Sequence, residues 1–213
     1  TEGFIIEQPS TIKGIGDDAA VIDYGEKVTL VSTDLLVEGV HFDLAYMPLR
    51  HLGYKCATVN FSDIVAMNGT PRQLFVGISV SNRFPVEALE EIYEGIRLAC
   101  KRYKVDLAGG DTTSSVHGLF LSLTVTGDAA KEDVVYRNTA KENDLVCVTG
   151  DLGSAYMGLL LLEREKKVFE ADPGMQPDLA GFDYILERQL KPAPRTDIIE
   201  RQKTVGVKPT ALI

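Results

Sequence analysis

The chain has 213 residues, 22 Lys+Arg against 31 Asp+Glu, and a formal net charge of −9. That length can bury a real core in one large domain or two small ones, and the acidic balance argues against nucleic acid or an anionic membrane as the main partner. The longest apolar run, GLLLLE at 158–163, falls far short of the roughly 20 residues of a membrane helix, and Cys56, Cys100 and Cys147, without metal-type spacing, predict buried reduced thiols and a cytoplasmic setting.

The segment GIGDDAAVIDY (14–24) begins as a Gly-x-Gly loop, which usually cradles an anion, yet it ends in Asp17 and Asp18. Residues 19–23 and VTLVST (28–33) are β-rich and flank Gly25, which predicts a hairpin. From Pro48 to Gly69 small and apolar residues recur at helical spacing, with Asn68-Gly69 as the stop signal. QLFVGISV (73–80) predicts a strand, and 85–103 repeats apolar residues in the three-four pattern of an amphipathic helix. VDLAGGD predicts a short strand ending in a glycine turn. LFLSLTVTGDA (119–129) and DLVCVTGD (144–151) predict two further strands, the second followed by the helix SAYMGLLLLEREK. Interleaved strands and helices indicate an α/β or α+β protein. KENDL (141–145) is the predicted join between a first domain, 1–140, and a second, 141–213.

Four acids sit beside chain ends or small residues: Asp18 after GIGD, Asp34 after VTLVST, Asp63 in NFSD and Asp111 after LAGG. Each alone also fits a turn or an N-cap. Asp63 fits neither, because it lies inside a buried-looking helix where a carboxylate is costly to desolvate. Two carboxylates at about 4 Å repel by roughly 4 kcal/mol at an effective dielectric near 20, so a cluster of them requires cations. Hard oxygen ligands without His or Cys point to Mg²⁺, which takes one or two carboxylates and completes its shell with water and substrate phosphates. On this reading the acids hold metal, and the metal holds phosphate. No Walker A sequence occurs and GIGDDA does not complete G-x-G-x-x-G. LAGGDTTSS (107–115) is a second candidate phosphate loop, through Gly109, Gly110, Thr112 and Thr113.

Taken in order, GIGDDAA, STDLLVEGVHF, NFSDIVAMNGTP, AGGDTT and VTGDLG make the chain resemble the thiamine-monophosphate kinases, of the superfamily that includes aminoimidazole ribonucleotide synthetase. The resemblance implies ATP-dependent phosphorylation of thiamine monophosphate to thiamine diphosphate. It implies an N-terminal domain whose mixed sheet joins that of a second copy in a homodimeric β-barrel, followed by an α/β domain. It places Asp18, Ser32, Thr33, Asp34, Asp63 and Asp111 on magnesium-binding positions. His41 falls on a substrate-contacting position, and Gly110, Asp111 and Arg137 fall on nucleotide-contacting ones. For Arg137 the chemistry agrees, since a guanidinium grips phosphate oxygens bidentately. The acceptor phosphate is already anionic at neutral pH, so neither a covalent nucleophile nor an essential general base is expected. The family continues past a segment like VKPTALI with an acidic D-x-S-D-G motif, so the second domain is expected to be incomplete at Ile213. Two other readings are a sister enzyme, selenophosphate synthetase-like or ribonucleotide synthetase-like, and a metal-binding dimerisation module without turnover. Against the first, selenophosphate synthetases carry a reactive cysteine near their N-terminal glycines, whereas Cys56 falls inside a helix.

Overall fold

The structure is a computed structural model in which residues 8–13 and 17–213 are described. The glycines of the opening Gly-x-Gly segment therefore lie outside the described residues. Six strands form one mixed sheet: β1 (Thr11–Lys13), β2 (Ala20–Asp23), β3 (Lys27–Val37), β4 (Thr70–Val80), β5 (Asp106–Ser114) and β6 (Leu119–Ala130), in the spatial order β1-β2-β3-β6-β4-β5. All neighbours are antiparallel except β4 and β5. That parallel pair needs a crossover, supplied by helix α2 (Val86–Tyr103). The expected hairpin is β2 and β3, with Gly25 at φ 143° in its turn.

Helix α1 (Leu49–Ala66) begins after Pro48 and stops where the sequence predicts. Asn68 takes the left-handed conformation at φ 61°, and the Gly69 N–H donates back to the Ile64 carbonyl at 2.9 Å. The sheet buries one face against α1 and α2. In β6, Leu119, Leu121, Leu123 and Val125 are all fully buried, while the alternate residues Phe120, Ser122, Thr124 and Thr126 lie on the opposite, open face. β3 alternates in the same way: Val28, Leu30, Ser32 and Leu36 are buried against the helices. Two glycines set the approach of α1 to α2. A Cβ on Gly53 would stand 1.9 Å from the Ile92 carbonyl oxygen, and one on Gly95 would stand 2.0 Å from that of Arg50.

Three expectations are corrected. The glycines of LAGGD do not turn the chain: β5 continues through them to Ser114 beside β4, with a register shift where the pair Leu74–Leu107 gives way to Phe75–Gly109. The reason is steric, since a Cβ on Gly110 would lie 2.0 Å from the Val76 carbonyl oxygen, so glycine lets the two strands close. Residues 144–151 form no strand. Among the described residues no strand pairs with them in a ladder, and Leu145 and Val146 are 90% and 95% exposed. In the same segment Cys147 is exposed, unlike buried Cys56 and Cys100. Beyond it stand α3 (Ser154–Ala171), α4 (Asp183–Leu190) and α5 (Thr196–Val205). α3 meets α4 at Gly158, where a Cβ would be 2.2 Å from the Ile185 carbonyl oxygen. The fold is α+β, with a mixed sheet and five α-helices among the described residues.

Candidate active site

Period-two alternation puts Ser32 and Asp34 of β3 on the face that meets α1, and Asp63 comes to that face from the C-terminal half of α1. The Ser32 hydroxyl donates to Asp63 Oδ2 at 2.6 Å. Burial pushes the Asp63 carboxyl up to about 6, and the negative charges of Asp34 and Asp18 push the same way, against the Ser32 hydrogen bond and the positive charge of Arg137. Asp34 is also raised, by burial, with His41 opposing. The half-buried Asp63 carboxyl thus lies within electrostatic reach of Asp34 and Asp18.

A fourth carboxylate, Asp17, is paired with Asp18. The Arg137 guanidinium donates to Asp18 Oδ1 and lies 3.6 Å from Asp17 Oδ1, which also accepts the Asp18 N–H at 3.0 Å. The other oxygens, Asp17 Oδ2 and Asp18 Oδ2, are buried with no hydrogen-bond partner. An orphaned buried carboxylate oxygen is costly unless a cation answers it. The donor set is all oxygen, which suits Mg²⁺. Among the described residues no three His, Cys, Asp or Glu side chains converge closely enough to hold an ion by themselves. A shell shared with water and phosphate, the habit of Mg²⁺, fits that spacing.

The sign of the Asp63 shift gives a testable pH dependence. Its folded value, about 6, exceeds the ordinary carboxyl value of 3.8, so the folded state binds the proton more tightly. Its contribution to stability is therefore full below about pH 4, is lost as pH rises to about 6, and is flat above. In chelator, the wild-type protein is expected to lose on the order of 1 kcal/mol across that window, discounted for the solvent reaching this half-exposed group. Asp63→Asn should remove that slope, as read from urea midpoints at several pH values.

His41 lies in the turn after β3, where its Nδ1 accepts the Val37 N–H at 3.1 Å. That bond engages Nδ1 as an acceptor and leaves Nε2 as the ring's donor nitrogen, on an exposed side chain. Arg137 follows a short 3-10 turn, Lys131–Asp133, tied to the end of α1 by Asn68 Nδ2 donating to the Asp133 carbonyl at 2.8 Å.

Thr33, Gly110 and Asp111 do not join this cluster. Thr33 is on the other face of β3, donating to the Leu123 carbonyl at 3.0 Å and accepting from the Thr124 hydroxyl. Asp111 pairs in register with Gly77 and lines the open face with Leu35, Ser79 and Ser122. Gly110 and Asp111 also border a cavity of about 450 Å³ beside Tyr93 of α2. Tyr93 went unsingled in the sequence, because the helical pattern counts it only as a packing position, and Asp17 was noted in its doublet with Asp18 but given no role.

Residues 16–129 match the family described as AIR synthase related protein, N-terminal domain. The chain belongs to that family. Over 195 residues it is 39% identical to the thiamine-monophosphate kinase of Bacillus subtilis, a match covering 91% of this chain and 58% of that protein. The thiamine-monophosphate kinase of Aquifex aeolicus is 34% identical, with 92% of this chain and 60% of the relative covered. Among solved structures, one described as AaThiL complexed with AMPPCP and TMP superposes with a TM-score of 0.75 at 30% identity, covering 88% of this chain and 57% of that one. The chain thus spans under two thirds of the length of these relatives. The matched family segment contains the whole acidic cluster, and Arg137 lies beyond it.

Proposed function

We propose that this chain carries the metal- and nucleotide-binding part of an enzyme that phosphorylates thiamine monophosphate to thiamine diphosphate at the expense of ATP. The observation that carries it is the half-buried cluster of Asp18, Asp34 and Asp63, with two orphaned carboxylate oxygens beside it, in a fold similar to a structure holding an ATP analogue and TMP. Asp18, Ser32, Asp34 and Asp63 would hold Mg²⁺. Thr33 and Asp111 are assigned the same role from the resemblance alone, on the sheet's other face. Gly110, Asp111 and Arg137 would contact nucleotide, and His41 substrate.

Mg²⁺, when bound, neutralises the phosphates and aligns them for in-line transfer. The chain's own residues do the rest. The Ser32 hydroxyl fixes the Asp63 carboxylate, so the ligand geometry is set before substrate arrives. Arg137 rests on Asp17 and Asp18 at the edge of the cluster, where its guanidinium would also grip phosphate oxygens. His41 presents Nε2–H as a fixed donor. No base is needed, because the attacking phosphate oxygen of thiamine monophosphate is already anionic.

Thermal-shift measurements with Mg²⁺, ATP and thiamine monophosphate test the reading. Stabilisation by all three together, beyond Mg²⁺ and ATP, is expected. A response to metal alone would make the protein a binding module, and indifference to the thiamine compound would make it a sister enzyme. His41→Ala is expected to raise the KM for thiamine monophosphate by about tenfold and that for ATP little, since it removes one donor to the acceptor substrate. Equal effects on both would return His41 to a structural role.

We also propose that residues 1–140 and 141–213 form separate domains, and that the first pairs with a second copy. Its open sheet face exposes Leu35 and Phe75, 55% and 39% accessible, and closing two such faces into a barrel would cover them. Light scattering should give a dimer, and Leu35→Asp a monomer. The reading places the enzyme in the cytoplasm; among the described residues no helix is long and apolar enough to cross a membrane.

A further inference from the structure

The turn that carries His41 is held from two sides. On its own side, the Gly39 N–H donates to the Phe42 carbonyl at 2.8 Å, and the side chains of Phe42 and Met47 sink into the core at 4% and 2% exposure. On the other side stands Asp43. Its Oδ1 accepts the Ala45 N–H at 2.8 Å, closing the turn, while its Oδ2 accepts from Lys166 Nζ at 2.6 Å. Lys166 belongs to α3, 123 residues further along the chain. Among the described residues this is the only ion pair joining the part before residue 141 to the part after it. Both oxygens of one carboxylate are thus committed, one to the turn and one to the helix that passes it. The same cleft is lined by Tyr46, Glu163, Lys167 and Glu170, of which Glu170 also reaches Lys166 at 3.6 Å.

We propose that the Asp43–Lys166 pair is a positioning device: it clasps the His41 turn to α3 and thereby sets how well His41 meets the acceptor substrate. The proposal rests on the reading that His41 contacts thiamine monophosphate. His41 is two residues from Asp43, and its ring is aimed by the Val37 N–H, so any displacement of the turn swings the imidazole. Neither Asp43 nor Lys166 touches the acidic cluster, so loss of the clasp should leave the chemical step alone. An exposed ion pair of this kind is modest in energy, which bounds the effect to a few-fold.

Lys166→Met and Asp43→Asn test it, the asparagine keeping an acceptor for the Ala45 N–H while losing the charge. Each is expected to raise the KM for thiamine monophosphate about threefold with kcat and the KM for ATP unchanged. The double variant should be no worse than either single one, and Lys166→Arg should restore the wild-type value. The second measurement does not depend on turnover: ¹⁵N signals of the His41 imidazole should report an acceptor Nδ1 in the wild type and a shift toward averaged nitrogens in Lys166→Met. An active wild type with unchanged KM in the variants, or equal rises for both substrates, would overturn the clasp, as would unaltered imidazole signals. A wild type inert toward thiamine monophosphate would instead remove the functional reading, and the imidazole signals alone would then decide the clasp.

Discussion

Gly53→Ala and Gly95→Ala are each expected to destabilise the protein by about 4 kcal/mol or more, a large share of the 5–15 kcal/mol typical of a folded protein. The methyl groups would stand 1.9 Å from the Ile92 carbonyl oxygen and 2.0 Å from the Arg50 carbonyl oxygen. Both obstacles are backbone, so no side chain can swing aside and the helices must part. Parting them loosens Leu52, Cys56, Ile92, Ile96 and Ala99, all fully buried, and interiors are packed too densely to absorb such a shift. Gly39→Ala is the control. It has φ 78° but nothing within 4 Å of a Cβ, so it should cost only the backbone penalty, roughly 1 kcal/mol. Denaturant midpoints measured in chelator give all three values. Midpoints for Gly53→Ala and Gly95→Ala no lower than that of Gly39→Ala would contradict the close crossing of α1 and α2.

Asp63→Asn should have the largest effect on function and the opposite effect on the metal-free fold. The asparagine can still accept from the Ser32 hydroxyl, but it brings no charge to a position where burial and the negative charges of Asp34 and Asp18 already resist ionisation. Above pH 6 the metal-free variant should therefore be as stable as wild type or more so. With Mg²⁺ the order should reverse. The loss of one hard anionic ligand is expected to abolish Mg²⁺-dependent ATP binding and to lower turnover by at least about a hundredfold, since phosphoryl transfer relies on charge neutralisation and alignment. Calorimetric titration of ATP with and without Mg²⁺ reads the first effect directly. Wild-type Mg²⁺-dependent affinity in the variant would remove Asp63 from the site.

Most of the sheet and the first two helices could be read from periodicity. The run 119–129 alternates apolar and polar residues, and β6 follows it to within a residue. α2 shows its buried Ala88, Ile92, Ile96 and Ala99 at three-four spacing. Asp63 was legible for a different reason: a charge among Phe61, Ile64 and Val65 is a local violation, and such violations mark sites. What escaped depended on contacts between distant residues. Gly109 and Gly110 look like a turn until β4 is known to lie close beside them. DLVCVTGD has strand composition, but composition cannot supply a neighbour. The separation of Asp111 from Asp34 needed the register of β5 on β4 and the course of α2 between them, neither of which is local information.

Strand β3 sorts its residues by parity. Even positions, Ser32 and Asp34 among them, look toward α1, and odd positions, Thr33 and Leu35, look away. Gain or loss of a single codon upstream within the strand would exchange the two sets, setting a threonine and a leucine against Asp63 and leaving serine and aspartate on the open face. Loss of a codon pair would keep the sets but slide them by about 6.8 Å, two residues of rise. Lineages carrying this strand should accordingly accumulate substitutions within it while its length stays constant, and length variation should collect in the flanking turns. The hairpin tip around Gly25, whose Cβ direction is empty, is where such variation costs least.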